Sequence, residues 1–169
     1  RDDAKKHKTS KNQQENKGIH ASSNTSLNRS VDKLPSSKVS VDPSTGQATV
    51  ENIHGNIPVK NIRISNPTQP GENFVQPVES IVDGLLWEPV LIGGQNAVSL
   101  NTSHPYYQRV YSQIRDNPDM IKGLDYLLWA LTQAELNAMN ESAEEYIDQY
   151  RYEVSRILRM LASDLPDTE

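Results

Sequence analysis

The stretch 86–111, LWEPVLIGGQNAVSLNTSHPYYQRVY, constrains the fold most, because a compact hairpin pattern runs directly into an aromatic helix start. Two short apolar runs flank Gly93-Gly94, and such glycines supply the positive φ angles that a tight hairpin turn needs. Pro89 removes one donor from the strand ladder, so its strand is predicted to be an edge strand or to carry a bulge. The stretch therefore predicts the start of a packed α+β domain.

Three helices are predicted to follow this hairpin. Pro105 suits the first turn of a helix over about 105–115, and the run 116–119, DNPD, starts a second helix that extends to Met139. The run 140–142, NES, ends that helix and begins the last one. The residues expected in the hydrophobic core of this segment are Trp87, Tyr107, Leu128 and Trp129.

The last helix has the most regular apolar spacing in the chain. Its apolar positions recur three and four residues apart, which is the pattern of a helix that packs lengthwise on another helix. The pattern fits packing inside one chain and packing between two copies equally well, and both interpretations stay open. The candidate interface residues are Tyr146, Ile147, Tyr150, Val154, Ile157, Leu158 and Leu161.

The residues before the hairpin are mostly polar. Residues 1–37 are predicted to be an extended or disordered arm, comprising a polar basic helix and then a flexible linker rich in Ser and Asn, because they have too little apolar surface to bury. Residues 38–80 are predicted to form a short hairpin followed by a Pro-rich extended connector. The compact C-terminal domain is predicted to span residues 81–169.

Charge is distributed unevenly, although the net charge is only −5. Residues 1–17 carry six Lys or Arg against three Asp or Glu, whereas residues 116–169 carry four against twelve. An acidic segment repels polyphosphate, so nucleic-acid binding is expected only through residues 1–17. A nucleic-acid-binding adaptor is therefore one alternative function, although a solvated tail is the simpler interpretation of this basic run.

Composition excludes several other classes of protein. The chain has no cysteine, which excludes disulfides, thiolate metal sites and thiol nucleophiles. Its four histidines, His7, His20, His54 and His104, are scattered singly, so no metal site is expected. No apolar run has the roughly 20 residues that a membrane-spanning helix needs, so we expect a soluble, cytoplasmic protein without membrane contact.

His104 is the best-placed candidate for proton transfer, because it lies at a predicted helix start beside two tyrosines. A catalytic role requires a carboxylate partner such as Glu88 or Asp116, and would make the chain a small hydrolase-like enzyme. The simpler interpretation is a histidine that caps the helix, because one histidine without a second motif is weak support for catalysis. No cofactor-binding residue is predicted.

Four phrases in the second half of the chain resemble the C-terminal region of bacterial and phage ATPases of the GHKL superfamily. They are LWEP at 86–89, NTSHPYY at 101–107, DYLLWAL at 125–131 and EVSRIL at 153–158. The superfamily includes gyrase B, histidine kinases, MutL-type repair proteins and MORC-like ATPases. The resemblance covers roughly residues 75–166.

The resemblance implies a role without catalysis for this segment. Superfamily members bind ATP and magnesium through an N-terminal domain with an Asn-bearing helix, an Asp-x-Gly motif and a glycine-rich lid. The run 82–85, VDGL, lacks that context, so no ATP-site residue is carried over. Because the chain begins at Arg1, we expect a fragment or processed piece. The resemblance implies that the full-length protein binds ATP and that this piece forms a homodimer or binds another protein.

Overall fold

The computed structural model describes residue 16 and residues 18–60, 62–67 and 69–167, and it has an α+β fold, as predicted. Two β-sheets lie against a set of helices that come mainly from the second half of the chain. The predicted basic helix over residues 1–17 falls almost entirely outside the described residues.

The first sheet is an antiparallel meander of β1 (Lys38–Val41), β2 (Ala48–Asn52) and β3 (Gly55–Val59). The β1–β2 turn is stabilised by Asp42, whose Oδ1 accepts a hydrogen bond from the Ser44 backbone N–H at 2.8 Å. Alternate residues of β2 and β3 are buried on one face, as the strand period requires. The hairpin predicted in this region is therefore present, with a third strand added.

The second sheet has the strand order β4-β6-β7-β5 and mixes parallel with antiparallel pairing. Its strands are β4 (Arg63–Ser65), β5 (Val75–Val78), β6 (Trp87–Ile92) and β7 (Gln95–Asn101). The hairpin β6–β7 turns at Gly93 and Gly94, both with positive φ, as predicted.

The prediction that Pro89 marks an edge strand or a bulge is wrong, because β6 lies between β4 and β7 and its register with β7 is continuous from Trp87 to Ile92. The lack of an N–H donor on proline still limits strand pairing next to Pro89. The pairing of β4 with β6 begins at Val90, one residue after the proline. Pro89 is thus paired only with Val98 of β7. At this position β6 has no paired residue on its other side, so the missing N–H donor of the proline is tolerated.

Four longer helices lie within the described residues. They are α1 (Ala21–Ser30), α2 (105–114), α3 (Pro118–Ala138) and α4 (Glu144–Leu161). The middle of α2, Tyr107–Tyr111, is a π-helical turn. The start of α3 is capped by Asn117, whose side chain accepts from the Met120 N–H, with Pro118 next to the cap. The three helices predicted after the hairpin are all present.

Helix α3 joins the two main hydrophobic clusters of the protein. Near its start and middle, Ile121, Leu128 and Trp129 pack into the larger cluster beside the second sheet. Near its end, Leu136 packs into a smaller cluster beneath the first sheet. Asn52 fixes that end, because its Nδ2 donates to the Leu136 and Met139 carbonyls at 2.9 and 2.8 Å. Both sheets are therefore attached to one helix.

The prediction of an extended or disordered arm over residues 1–37 is wrong for the described part of that segment. Residues 21–30 form α1, and His20, Ser23, Asn24 and Leu27 are buried. The prediction failed because it counted only apolar side chains. Small polar side chains can also be buried when each finds hydrogen-bond partners, and here those partners come from distant parts of the chain.

The boundary predicted between residues 80 and 81 does not separate two units either. Strands β4 and β5 come from the predicted segment 38–80, yet they form both edges of the sheet that contains β6 and β7. Phe74 and Val75 of this connector are 2% and 0% exposed. The prolines are compatible with an extended backbone, and pairing with β7 makes β5, a part of this segment, a strand.

Candidate functional site

His104, the predicted candidate for proton transfer, lies inside the protein at the start of α2 and is 1% exposed. Its Nδ1 accepts from the Tyr106 N–H at 3.1 Å, so its Nε2–H donates to the Ser155 carbonyl at 2.8 Å. Burial lowers the pKa of His104, the Ser155 carbonyl opposes this shift, and the nearby Arg159 charge adds to it. Both ring nitrogens are occupied by backbone groups, which is the arrangement of a helix cap.

The carboxylates proposed to act with His104 lie in other surroundings. The Glu88 carboxylate is 3.4 Å from Nε of Arg63. Burial raises the pKa of Glu88, although the Arg63 and Arg151 charges oppose the rise. Asp116 is exposed in the connection between α2 and α3. Neither carboxylate is among the described hydrogen-bond partners of His104, so the proposed acid–base pair is not assembled.

A buried polar cluster that the sequence analysis missed lies between α1, α2 and α3. Its centre is Asp125, which accepts hydrogen bonds from Nδ1 of His20 at 2.7 Å, from the Ser23 hydroxyl at 2.5 Å and from the Tyr111 hydroxyl at 2.7 Å. Nε2 of His20 is 2.8 Å from the Tyr107 hydroxyl. Each of these five side chains is at most 3% exposed.

The π-helical turn of α2 brings the two tyrosines of this cluster together. The rings of Tyr107 and Tyr111 are stacked, with centroids 4.5 Å apart. Burial and the negative charge of Asp125 raise the pKa of both phenols well above the ordinary value, so both stay protonated. The hydrogen-bond network around Asp125 is complete and closed to solvent. It holds the helices together, and a substrate cannot reach it.

One signal in the sequence could have revealed this cluster. Asp125 lies four residues after Ile121 and three before Leu128, on the buried face of α3. A carboxylate on such a face requires several donors, because a charge buried without hydrogen bonds is very costly. The sequence does not say which distant residues supply them, and so His20 and Ser23 could not have been identified.

A second buried polar group joins β6, α3 and α4. The Trp87 indole N–H donates to Oε1 of Glu135 at 3.1 Å, and Arg151 donates to Oε2 of Glu135 through Nη2 at 2.6 Å and Nε at 3.2 Å. Burial raises the pKa of Glu135, and Arg151 and Trp87 oppose that rise. The group fixes α4 to the body of the protein. Trp87, Tyr107, Leu128 and Trp129, the residues expected in the core, are all buried.

Helix α4 divides its predicted interface residues between two faces. Ile147, Val154 and Leu158 are partly buried against the protein's own hydrophobic clusters, so they belong to the internal packing of α4. The remaining four lie on the outward face and form what we call the α4 stripe: Tyr146, Tyr150, Ile157 and Leu161, which are 75%, 61%, 47% and 57% exposed. The regular spacing thus combined an inner and an outer set of residues.

A groove of about 420 Å³ borders the α4 stripe at the start of the helix. Its lining comes from the end of α3, the first turns of α4 and the connection between them, and it is mostly apolar: Glu135, Ala138, Ser142, Ala143, Tyr146, Ile147 and Tyr150. Concave apolar surface beside exposed aromatic rings is suited to holding an apolar side chain of another protein. The stripe and this groove together are the candidate functional site.

The run at residues 82–85 and the acidic and histidine side chains are the features to compare with the nucleotide and metal sites that the resemblance implies. Asp83 and Gly84, the pair closest to an Asp-x-Gly motif, form a 3-10 turn in which the Gly84 carbonyl accepts from Arg159 at 2.6 Å. An added Cβ on Gly84 would approach the Arg159 guanidinium within 2.5 Å, and Gly84 has a positive φ of 66°, so glycine is favoured at this position. Within the described ranges, no group of three or more acidic or histidine side chains is arranged to hold a metal ion.

Comparison with known proteins yields no relative for this chain: no family model matches it, nor does any curated protein or any solved structure. In the part of the chain that the structure describes, no helix combines the length and apolarity needed to cross a bilayer.

Proposed function

We propose that this chain is a non-catalytic module that self-associates through the α4 stripe. The observation that carries the proposal is the exposure of four large apolar side chains along a single face of one helix. The opposite face of the same helix is fixed by Arg151, which pairs with Glu135, and by Ser155, whose hydroxyl accepts from the Leu86 N–H at 3.0 Å. A rigid element with a contiguous apolar stripe is suited to bind a protein partner.

The resemblance to GHKL-superfamily ATPases extends this proposal to the whole protein. In such a protein, the module would hold two subunits together, so that ATP-driven closure of their nucleotide-binding domains becomes effectively intramolecular. ATP and magnesium would then bind outside this chain. This part of the proposal is tested by the remaining sequence of the protein, which should contain an Asn-bearing helix and an Asp-x-Gly motif.

Sedimentation equilibrium of the full chain tests self-association directly. We expect a dimer at micromolar concentration, and we expect Tyr150→Asp to be monomeric because it places a charge in the middle of the stripe. The matched control is Tyr152→Asp, which introduces the same change at a tyrosine that is 44% exposed on another face of the helix. This control should remain dimeric, with the same circular dichroism spectrum as the other two proteins. A monomeric wild-type chain at high micromolar concentration would refute the proposal.

A further inference from the structure

We propose that α1 is a detachable cover, which opens as one unit while both sheets and α2–α4 stay folded, and that the site beneath it accepts an imidazole ring from another molecule. In the closed structure His20, at the start of α1, supplies that ring from within the chain. The proposal does not rest on the proposed self-association.

The sequence of α1 favours the helical conformation only weakly. Seven of its ten residues are Ser, Thr or Asn, whose side chains compete for backbone hydrogen bonds and lower the helix propensity. A helix of this length is also too short to be stable in water by itself. His20, the residue before it, makes no capping hydrogen bond with its side chain to the start of the helix. The helix therefore depends on the surface on which it lies.

That surface holds α1 mainly by polar contacts. Among the twelve buried residues of the larger hydrophobic cluster in the described part of the chain, Leu27 is the one that α1 contributes. Ile19 and Val31, which flank the helix, are only partly buried against this cluster. The other buried side chains of α1 are Ser23 and Asn24, which bond to α3 and to β5. Elements that open before the rest of a protein are those with few buried apolar contacts.

The segment that connects α1 to β1 is suited to act as a hinge. Residues 32–36 are exposed, whereas Ser37 is buried and anchored to the body of the protein. The Ser37 carbonyl accepts from Nδ2 of Asn96 at 2.6 Å, and the Ser37 hydroxyl donates to Oδ1 of Asn137 at 2.5 Å. Because of this anchor, α1 can leave without disturbing β1.

The site beneath α1 matches the chemistry of an imidazole ring. Nδ1 of His20 lies 2.7 Å from the Asp125 carboxylate, and Nε2 lies 2.8 Å from the Tyr107 hydroxyl. The ring centroids of Tyr107 and Tyr111 are 5.9 and 5.3 Å from that of His20. One nitrogen of an imidazole can donate to the carboxylate while the other accepts from the phenol. Asp125, Tyr107 and Tyr111 belong to α2 and α3, so they stay together when α1 leaves.

Hydrogen exchange of the wild-type full chain tests the opening. Amides within α1 should exchange at least about tenfold faster than amides in β6 and β7, relative to their intrinsic rates, and their exchange should depend less on urea. These differences identify an opening smaller than global unfolding. Equal protection and equal urea dependence in α1 and in the β6–β7 hairpin would show that α1 leaves only when the whole protein unfolds, and would overturn the proposal.

His20→Gly tests the site, because it removes the resident ring and leaves the partners of that ring. Added imidazole at pH 8 should raise the thermal midpoint of this variant by about 2–4 °C at saturation, since a ligand that binds only the folded state stabilises it. The matched control ligand is 1-methylimidazole, which in its neutral form has no N–H to donate to Asp125 and should have little effect. The control variant is Asn28→Gly, at an exposed position of α1, and it should not respond to imidazole.

N-acetylhistidine amide in place of imidazole distinguishes the two sources of such a ring. Stabilisation of His20→Gly by both compounds would identify a histidine side chain of another protein as the ligand, and stabilisation by imidazole alone would identify a small imidazole compound. If His20→Gly does not fold by itself, its folding on addition of imidazole is the result expected.

Failure of imidazole to stabilise or fold His20→Gly, or an equal effect of 1-methylimidazole, would overturn the imidazole site. These outcomes are distinct from those that test self-association. A monomeric wild-type chain that meets both expectations would refute the proposed function and leave the detachable cover intact.

Discussion

Nδ1 of His20 lies 2.7 Å from Oδ2 of Asp125, although 105 positions separate the two residues in the chain. The contact attaches the start of α1 to α3, and both side chains are fully buried. With Ser23 and Tyr111 also donating to Asp125, one carboxylate connects three helices. A prediction about folding follows directly from this arrangement.

Asp125→Ala should reduce the free energy of unfolding by about 3–5 kcal/mol, because it removes the acceptor from three buried donors. Urea denaturation followed by tryptophan fluorescence measures the loss. Asp116→Ala is the control, since Asp116 is exposed and should cost less than about 0.5 kcal/mol. Equal midpoints for the two variants would mean that the buried cluster adds nothing to stability.

Asn24 should be as important to the fold as a large apolar residue. Its Oδ1 accepts from the Phe74 and Val75 N–H groups at 3.0 and 2.9 Å, and its Nδ2 donates to the Val75 carbonyl at 3.1 Å. We expect Asn24→Ala to destabilise the protein by about 2–4 kcal/mol, since each unsatisfied buried group costs about 1–3 kcal/mol. Hydrogen exchange should be faster at the Val75 amide.

Asn28→Ala provides a matched control for Asn24→Ala, because Asn28 lies on the same helix and is exposed. It should leave thermal unfolding and hydrogen exchange nearly unchanged. If both asparagine variants melted at the wild-type temperature, α1 would not be an integral part of the fold.

The His104 side chain should make stability depend on pH. Its folded-state pKa lies below the ordinary value of 6.5, so below that pH the unfolded chain binds a proton that the folded protein does not. Stability should therefore fall as the pH is lowered through about 6.5 towards the folded pKa. The slope from this one group is at most about 1.4 kcal/mol per pH unit.

His104→Gln isolates that contribution, because glutamine has no titrating group and retains an N–H donor for the Ser155 carbonyl. We expect the variant to be less stable than wild type at pH 8, and we expect the difference to narrow at pH 5. Chemical denaturation at several pH values measures both proteins. A difference that is constant from pH 8 to pH 5 would contradict the burial of a neutral histidine.

Arg151 should be required mainly because Glu135 is buried beside it. Arg151→Met leaves that carboxylate without its cation, which should cost about 3–5 kcal/mol at pH 8. Burial already raises the pKa of Glu135, so the unpaired carboxyl takes up a proton more readily, and the cost should be smaller at pH 5. Unfolding curves at the two pH values test this difference.

Glu135→Gln combined with Arg151→Met should recover much of that stability. The glutamine keeps an acceptor for the Trp87 indole N–H while it removes the buried charge. A double variant as unstable as Arg151→Met alone would show that the packing of the Arg151 side chain matters, and that the charge pair does not.

Local patterns were sufficient for the second half of the fold. The glycine pair predicted the β6–β7 turn, and Asn117-Pro118 predicted the start of α3, because both depend on the conformational preferences of a few adjacent residues. The same kind of pattern could not assign the two faces of α4. Periodicity identifies an apolar surface. Only the position of Glu135 and the position of the hydrogen-bond partner of Ser155 show which part of that surface faces inward.

The sequence by itself determined the α+β class, the turns and the helices of the C-terminal half, since these follow from short-range sterics, capping and apolar spacing. Only the tertiary structure decided the role of residues 18–37, because the burial of His20, Ser23 and Asn24 depends on donors and acceptors that lie 50 to 105 positions away. It also decided that His104 is held by backbone groups and that the α4 stripe is exposed. Both depend on which surfaces meet, and a linear pattern does not contain that information.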